Sequence, residues 1–551
     1  MPSSNEEKVK AEPVADTSKS QSGVTTTRLE LWSYYLYYVG NNGLSGFNFG
    51  PSQFQNLLFL AGYDPANEPF AIPCGTRGCV LPYLGKVRDI NSIVLLTNGI
   101  SFAIQAAVLL IIGAWADYGR WRPNITIFFT FVAVAVSFAW LGVGNASKWE
   151  AGVALYILGL ITYQFTLTFW TAAFPGLARD LPEVQESHQE VSMGNKSPQE
   201  HAHFESLSRN RISNISFTIS SAGEILILAI MVGILKAVKS TDSTENNTRA
   251  FSILLAFSGG VWLICALPWF IFEQRRPGLD IPPGTNLLTI GIKQVYVAVR
   301  ECWKLKQTFL YLIFYFLMGD VLNTTVTVIA TLQNSIISYS TLDLTLLLIV
   351  GIAAQALGIY VHWLVQRWFK IPTKTMLLFN VFWIILMTIW GLIGVHTNKF
   401  GFKHVWEVWV WQAYYGFMVC PWYAYSQTMI SEVSPLPQMF LFFALFSVVS
   451  ASALVEATAQ PSQVGKTSAF IGPLVSSAII TASNNNDNMP FAFLFGLGTL
   501  STIFLWMVDV DRSRVECAEF IIAEGSRKAF SLPTKEVPLD APILAEADPK
   551  A

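Results

Sequence analysis

Twelve stretches of mainly apolar residues, each near the length of a membrane-crossing helix and parted by polar segments, constrain this chain more than any other feature. A bilayer core about 30 Å thick needs roughly 20 apolar residues per helix, and a helix satisfies its own backbone there without water. The runs cover 30–50, 91–114, 123–144, 151–174, 212–236, 250–272, 308–333, 342–365, 374–395, 405–428, an interrupted eleventh at 439–482, and 490–508. Composition agrees: 13% of residues are charged and 52% hydrophobic, against about a quarter charged in soluble chains. The expected fold class is an all-α polytopic membrane protein.

The longest polar breaks are 51–90, 175–211 and 273–307, and the third divides the spans six and six. The expected organisation is a disordered cytosolic tail (1–28), an N-terminal six-helix bundle (29–273), a central cytosolic loop (274–307), a C-terminal six-helix bundle (308–511) and a cytosolic tail (512–551). Residues 1–28 hold no apolar run, so no cleavable signal peptide is expected. The loops after even-numbered spans carry fifteen Lys and Arg and the opposite loops nine, which favours a cytosolic N-terminus. The glycosylation sequons at Asn145 and Asn246 then fall on the non-cytosolic side, while that at Asn323 lies in a span and is a chance match. Cys74 and Cys79 sit between spans as two free thiols or, facing an oxidising lumen, a local disulfide. No Cys or His pair stands near them, so no metal site is expected.

The eleventh run is anomalous. "MFLFFALFSVV" (439–449) and "GKTSAFIGPLVSSAII" (465–480) are each short for a span, and the fifteen residues 450–464 between them include Glu456 and Pro461. Either 450–464 is a re-entrant or luminal element, or it is an unspliced intron. Codons for Val449-Ser450 and Gln463 can supply splice-like ends, which favours the intron. "GKT" at 465–467 lacks the first glycine of a phosphate loop, with Gln460 in its place, so no nucleotide is expected as a partner.

The loop "GAWADYGRWRPN" (113–124) resembles the G-x-x-x-D-x-x-G-R loop of the major facilitator superfamily through Gly113, Asp117, Gly119, Arg120 and Arg122. A carboxylate at a helix end can pair with arginines or cap a neighbouring helix, a latch that breaks when two halves rock. With six spans on each side of a central loop, the resemblance implies a major facilitator-type fold of two six-helix bundles. "PYLGKVRDINSIVLLTNGISFAIQA", "LTFWTAAFPGLARD", "LNTTVTVIATLQNS", "TLLLIVGIAAQALGIY" and "QAYYGFMVCPWYAYSQTMISEV" resemble, over nearly the whole chain, the fungal autophagy-related vacuolar amino-acid effluxer family. That resemblance implies a multi-pass vacuole-membrane transporter exporting neutral amino acids of the leucine, isoleucine and tyrosine class. "SPLPQM" (434–439) departs from the family's charged P-R-G-type turn.

In the superfamily fold, spans one, four, seven and ten line the cavity, and here all four are unusually polar. They offer Tyr37, Asn41 and Asn42; Tyr163, Gln164 and Thr168; Asp320, Asn323 and Thr324; and Tyr414, Tyr415, Trp422 and Tyr423. A zwitterion needs an acceptor for its ammonium, donors for its carboxylate and walls for its side chain. The same tyrosines and asparagines can equally tie helices together. Asp320 and Glu224 lie deep in spans, where an ionised carboxylate costs at least ~2.5 kcal/mol, so they are the candidates for carrying a proton, Asp320 first. His362 is expected at the interface. Gly50-Pro51 is expected to close the first span. The expected partners are an amino-acid substrate, protons and membrane lipid, with no nucleic acid and no cofactor. Another small solute, or a non-transporting scaffold, are the competing readings. No nucleophile–histidine–acid set points to an enzyme.

Overall fold

The computed structural model describes residues 24–64, 74, 79–120, 122–239, 244–278, 305–336, 341–397, 399–435, 442–443, 479, 483, 486 and 488–530. The phosphate-loop-like stretch, the 450–464 insert and most of the eleventh span and central loop lie outside them.

Long apolar runs become helices close to the expected limits. In chain order the helices are α1 (Arg28–Gly40), α2 (Gly50–Ala61), α3 (Ile90–Ala116), α4 (Arg122–Ala139), α5 (Trp149–Thr171), α6 (Phe174–Arg179), α7 (Pro182–Ser192), α8 (Pro198–Val238) and α9 (Thr244–Phe272). Beyond the central loop come α10 (Lys306–Ile336), α11 (Thr341–Phe369), α12 (Thr373–Ile393), α13 (Val405–Tyr414), α14 (Pro421–Val433), α15 (Pro490–Met507) and α16 (Val510–Phe530). Among the described residues, eight helices are long and apolar enough to cross a membrane. The first and tenth spans are broken: α1 and α2 are joined through a π-helical segment at Leu44–Phe49, and α13 and α14 through another at Tyr415–Val419.

The first span differs from expectation at Gly50-Pro51. Proline needs no N–H partner in a first helical turn, so Pro51 starts α2 instead of ending the span, which runs on to Ala61. The polar stretch 175–211 is also not a loop. It forms α6, α7 and the first third of α8, whose start is fixed by a capping box in which Ser197 and Glu200 satisfy each other's backbone N–H groups. The C-terminal tail opens with α16, whose Cys517 and Phe520 are buried with Leu305 and Phe442.

Within the first half, α1 packs on α8 and α9, and α4 on α5 and α9; within the second, α10 and α12 pack on α15. The halves meet chiefly where α8 runs along α11 and α14. A small antiparallel hairpin, β1 (Val80–Tyr83) and β2 (Lys86–Asp89), precedes α3. Beside it Cys74 and Cys79 form a disulfide with Cα atoms 4.9 Å apart, which resolves the two readings of that pair.

Candidate functional site

Helix α1 ends where its sequence stops favouring a helix. Gly40 lies so close to α9 that a Cβ there would fall 2.7 Å from Trp262 Cα, and Gly43 has φ +91°, a conformation open to glycine. Between them Asn41 is fully buried, and both polar atoms of its side chain lack a hydrogen-bond partner among the described residues. Asn42 accepts from the Leu44 N–H at 3.0 Å through Oδ1, and its Nδ2 has no described partner. Buried amides are nearly always paired, so an unpaired carboxamide at a helix break is a candidate ligand contact.

The other expected cavity residues divide. Tyr37 faces inward within the first half, its hydroxyl 2.8 Å from Thr130 Oγ1. Gln164 donates to Thr168 Oγ1 at 3.4 Å along α5. Tyr414 turns away from the midline and donates to the Trp383 carbonyl at 2.7 Å. These are packing contacts. Tyr163 packs against Gly46 of the first span, and the Glu224 carboxylate acts electrostatically on both Tyr163 and Tyr38. Asp320 and Thr324 are buried in α10; the Asn323 side chain lies outside the described residues. Tyr415 and Tyr423 pair hydroxyl to hydroxyl at 2.9 Å. Trp422 stacks on Tyr315, with ring centroids 5.6 Å apart and planes 12° apart. His362 is buried within the protein, with Nδ1 2.8 Å from the Gly358 carbonyl oxygen and its ring against Phe379 and Phe417. Glycines in α11 that let that helix approach the π-helical segment account for the burial.

The loop motif that follows α3 makes contacts within one half. Arg122 pairs with Glu273 beyond α9 at 3.1 Å, the Gly119 carbonyl accepts from the Gly278 N–H at 2.7 Å, Asp117 is buried, and Arg120 is exposed. Gly113 is buried near the end of α3. Next to it Arg276 is buried between Glu30 (2.6 Å) and Asp180 (2.7 Å) and also donates to Thr26. Asn145 is exposed between α4 and α5, and Asn246 is half-buried in the first turn of α9.

A family model described as "Vacuole effluxer Atg22 like" matches residues 26–518. The chain belongs to that family. Among curated relatives of this chain are the proteins named Autophagy-related protein 22 of Neurospora crassa, 22% identical and spanning 81% of this chain and 66% of the relative, and of Yarrowia lipolytica, 22% identical and spanning 80% of each. The chain therefore spans about two thirds of the Neurospora relative's length. Among solved structures, the major facilitator superfamily proton:xylose symporter XylE is similar at TM-score 0.55 and 12% identity, over 87% of this chain and 96% of that one. The transporter FucP in an outward conformation is similar at 0.51 and 13%, over 89% and 100%. The chain thus has the major facilitator fold.

That fold's two-fold repeat exposes what single-residue reading of the effluxer missed. Tyr163, Trp170 and Asp180 recur with unchanged spacing as Tyr415, Trp422 and Glu432, and Tyr34 and Tyr38 recur as Tyr311 and Tyr315. Tyr38 stacks on Trp170 at 4.2 Å, as Tyr315 stacks on Trp422. Tyr38, Trp170 and Tyr315 were not among the expected site residues. Comparing the two halves of the sequence is the signal that finds them.

Proposed function

We propose that this effluxer is a secondary transporter that moves neutral amino acids of the leucine, isoleucine and tyrosine class out of the vacuole by alternating access, coupled to protons. One observation carries the reading: a buried, unpaired carboxamide at Asn41 sits at a glycine-marked break in the first span. Helix breaks at membrane depth are tolerated only against protein or a watery cavity, and transporters place substrate there. Asn41 offers a carbonyl to an ammonium group and an amide to a carboxylate; Tyr163, Trp422 and Tyr423 supply walls. Asp320 is the first candidate to carry the proton and Glu224 the second. With the termini cytosolic, Asn145 and Asn246 face the lumen together with the Cys74–Cys79 disulfide, which suits an oxidising compartment.

The test uses the full chain in proteoliposomes loaded with radiolabelled leucine, with and without a pH gradient. Leucine efflux accelerated by an acidic substrate-side compartment is the expected result, and Asp320→Asn should remove that acceleration while leaving leucine exchange measurable. Efflux with no response to the gradient in the unmodified chain overturns the coupling, and absence of leucine movement overturns the substrate class.

A further inference from the structure

We infer that the repeat-related pairs Tyr38–Trp170 and Tyr315–Trp422 are the effluxer's selectivity element, preferring aromatic over aliphatic amino acids, with the Trp422 indole N–H donating to the substrate carboxylate. The inference rests on the amino-acid reading above and says which residues choose among amino acids.

The four rings belong to a continuous aromatic row across the midline between the halves. Trp170 lies flat on Tyr38, and Phe217 of α8 meets Tyr38 edge-on at 5.1 Å and 84°. Phe217 shares a packed cluster with Tyr423, Ile359 and Ala424 of the other half. Tyr423 in turn meets Trp422 edge-on at 5.2 Å and 80°, and Trp422 lies flat on Tyr315. The second half therefore presents a flat pair of rings and the first a flat set in which Trp170 lies on both Tyr34 and Tyr38, and each platform is met by the edge of another ring. Edge-on contact is what an aromatic face prefers. When the halves rock apart, Phe217 stays against Tyr38 and Tyr423 against Trp422, and the cleft opens between Phe217 and Tyr423, where a substrate ring meets these two platform-backed rings. An aliphatic side chain gains burial there but not the ring contact.

The indole nitrogens separate the two platforms. Trp170 Nε1 donates to the Tyr34 carbonyl at 3.2 Å. Its repeat mate Trp422 is 3% exposed, and its Nε1 has no described acceptor. Burying a donor without an acceptor is costly, and a carboxylate arriving between the halves removes that cost. Asn41 falls on the same helical face as Tyr34 and Tyr38 by its spacing, so its unpaired carboxamide stands on the side of α1 that carries the Trp170 platform.

Initial rates of leucine and tyrosine transport by proteoliposomes test this, each variant normalised to monodisperse folded protein. Trp422→Phe keeps an aromatic ring beside Tyr315 and removes the N–H together with the indole's second ring. It should raise KM about tenfold for both substrates, the scale of one hydrogen bond to a charged group, with kcat little changed. Tyr315→Leu should lower the tyrosine-to-leucine ratio of kcat/KM by about two- to tenfold, the scale of one aromatic contact. Tyr315→Phe, which keeps the ring, should preserve that ratio and guards against a mere folding defect. If leucine moves but the ratio is the same in Tyr315→Leu, or KM is unchanged in Trp422→Phe, the inference is overturned and the transport reading survives. If the unmodified chain moves neither amino acid, both fall.

Discussion

Arg276 is nearly inaccessible to water, and only the oxygens around it make that tolerable. Its guanidinium forks between Glu30 and Asp180 and reaches Thr26, so two segments of chain, the start of α1 and the end of α6, close around one cation. Replacing it with alanine leaves the Glu30 carboxylate buried without its cation and Asp180 with Arg179 alone, and removing one partner of a buried pair costs about 3–5 kcal/mol. Arg276→Ala should therefore melt well below the unmodified protein in detergent, and an unchanged melting temperature would show that the charges are not in fact desolvated. His201 makes a pH-dependent case outside the membrane. Burial, then His188 and Lys196, hold its pKa below the usual value, against the opposing Glu205. Its stabilising contribution is present above the unfolded value near 6.5 and is lost as pH falls through that value, because the unfolded chain then takes up a proton that the folded one resists. Protection factors in α7, with exchange rates divided by the intrinsic rate at each pH, should accordingly fall between pH 7.5 and 5.5, and His201→Gln should blunt the change. Equal protection factors at both pH values would rule this out.

At the scale of elements, α16 is held by its buried face and by polar contacts to the end of the bundle. The Val433 carbonyl accepts from Thr308 at 2.5 Å and from Ser513 at 3.4 Å, and Cys517 lies 3.6 Å from it. Burial raises the Cys517 thiol to about 11, so little thiolate exists at neutral pH. In a background whose other cysteines are replaced, Cys517 should react slowly with a maleimide, and Phe520→Ala should speed the reaction at least several-fold by loosening α16. Fast labelling of the parent would mean that the helix does not stay docked. The apolar spans were legible in the sequence because lipid imposes one length and one composition on every crossing, a local rule. The Asn41–Gly43 break was legible because asparagines beside glycine contradict that rule. Helices α7 and the start of α8 were not: in water a polar helix needs no apolar run, and the Ser197–Glu200 capping box was the local sign available. The disulfide was legible as a choice only, since five residues of spacing permit the bond without requiring it. Contacts such as Tyr38 on Trp170 were illegible one residue at a time, because ring pairing depends on which helices meet.

Over the whole molecule, the question is what holds the halves together while a substrate waits. At the end of the bundle where α8 meets α12 and α14, the Glu432 carboxylate accepts from Ser206 of the first half and, at 2.6 Å, from Thr373 of the second. Asn210 of α8 donates to the same Thr373 hydroxyl at 2.7 Å, and the Ser213 hydroxyl donates to the Ala424 carbonyl at 3.1 Å. Further along, Gln355 of α11 reaches Ser221 of α8 at 2.9 Å. In the first half the repeat mate of Glu432, Asp180, pairs with Arg276 of its own half. The two repeats thus use one sequence position differently: Asp180 braces a half, whereas Glu432 ties two together. In the alternating access proposed above, rocking breaks the second tie and leaves the first intact. Glu432→Ala should release the hydroxyls of Ser206 and Thr373, raise hydrogen exchange at the 206–213 stretch of α8, and shift the population toward the state open at this end. Hydroxyl-acceptor bonds to a charged group are worth about 1.5–3 kcal/mol each, enough to move a two-state equilibrium roughly tenfold or more. Exchange at 206–213 indistinguishable from the unmodified chain would show that the apolar contacts of α8, and not this carboxylate, hold the halves closed.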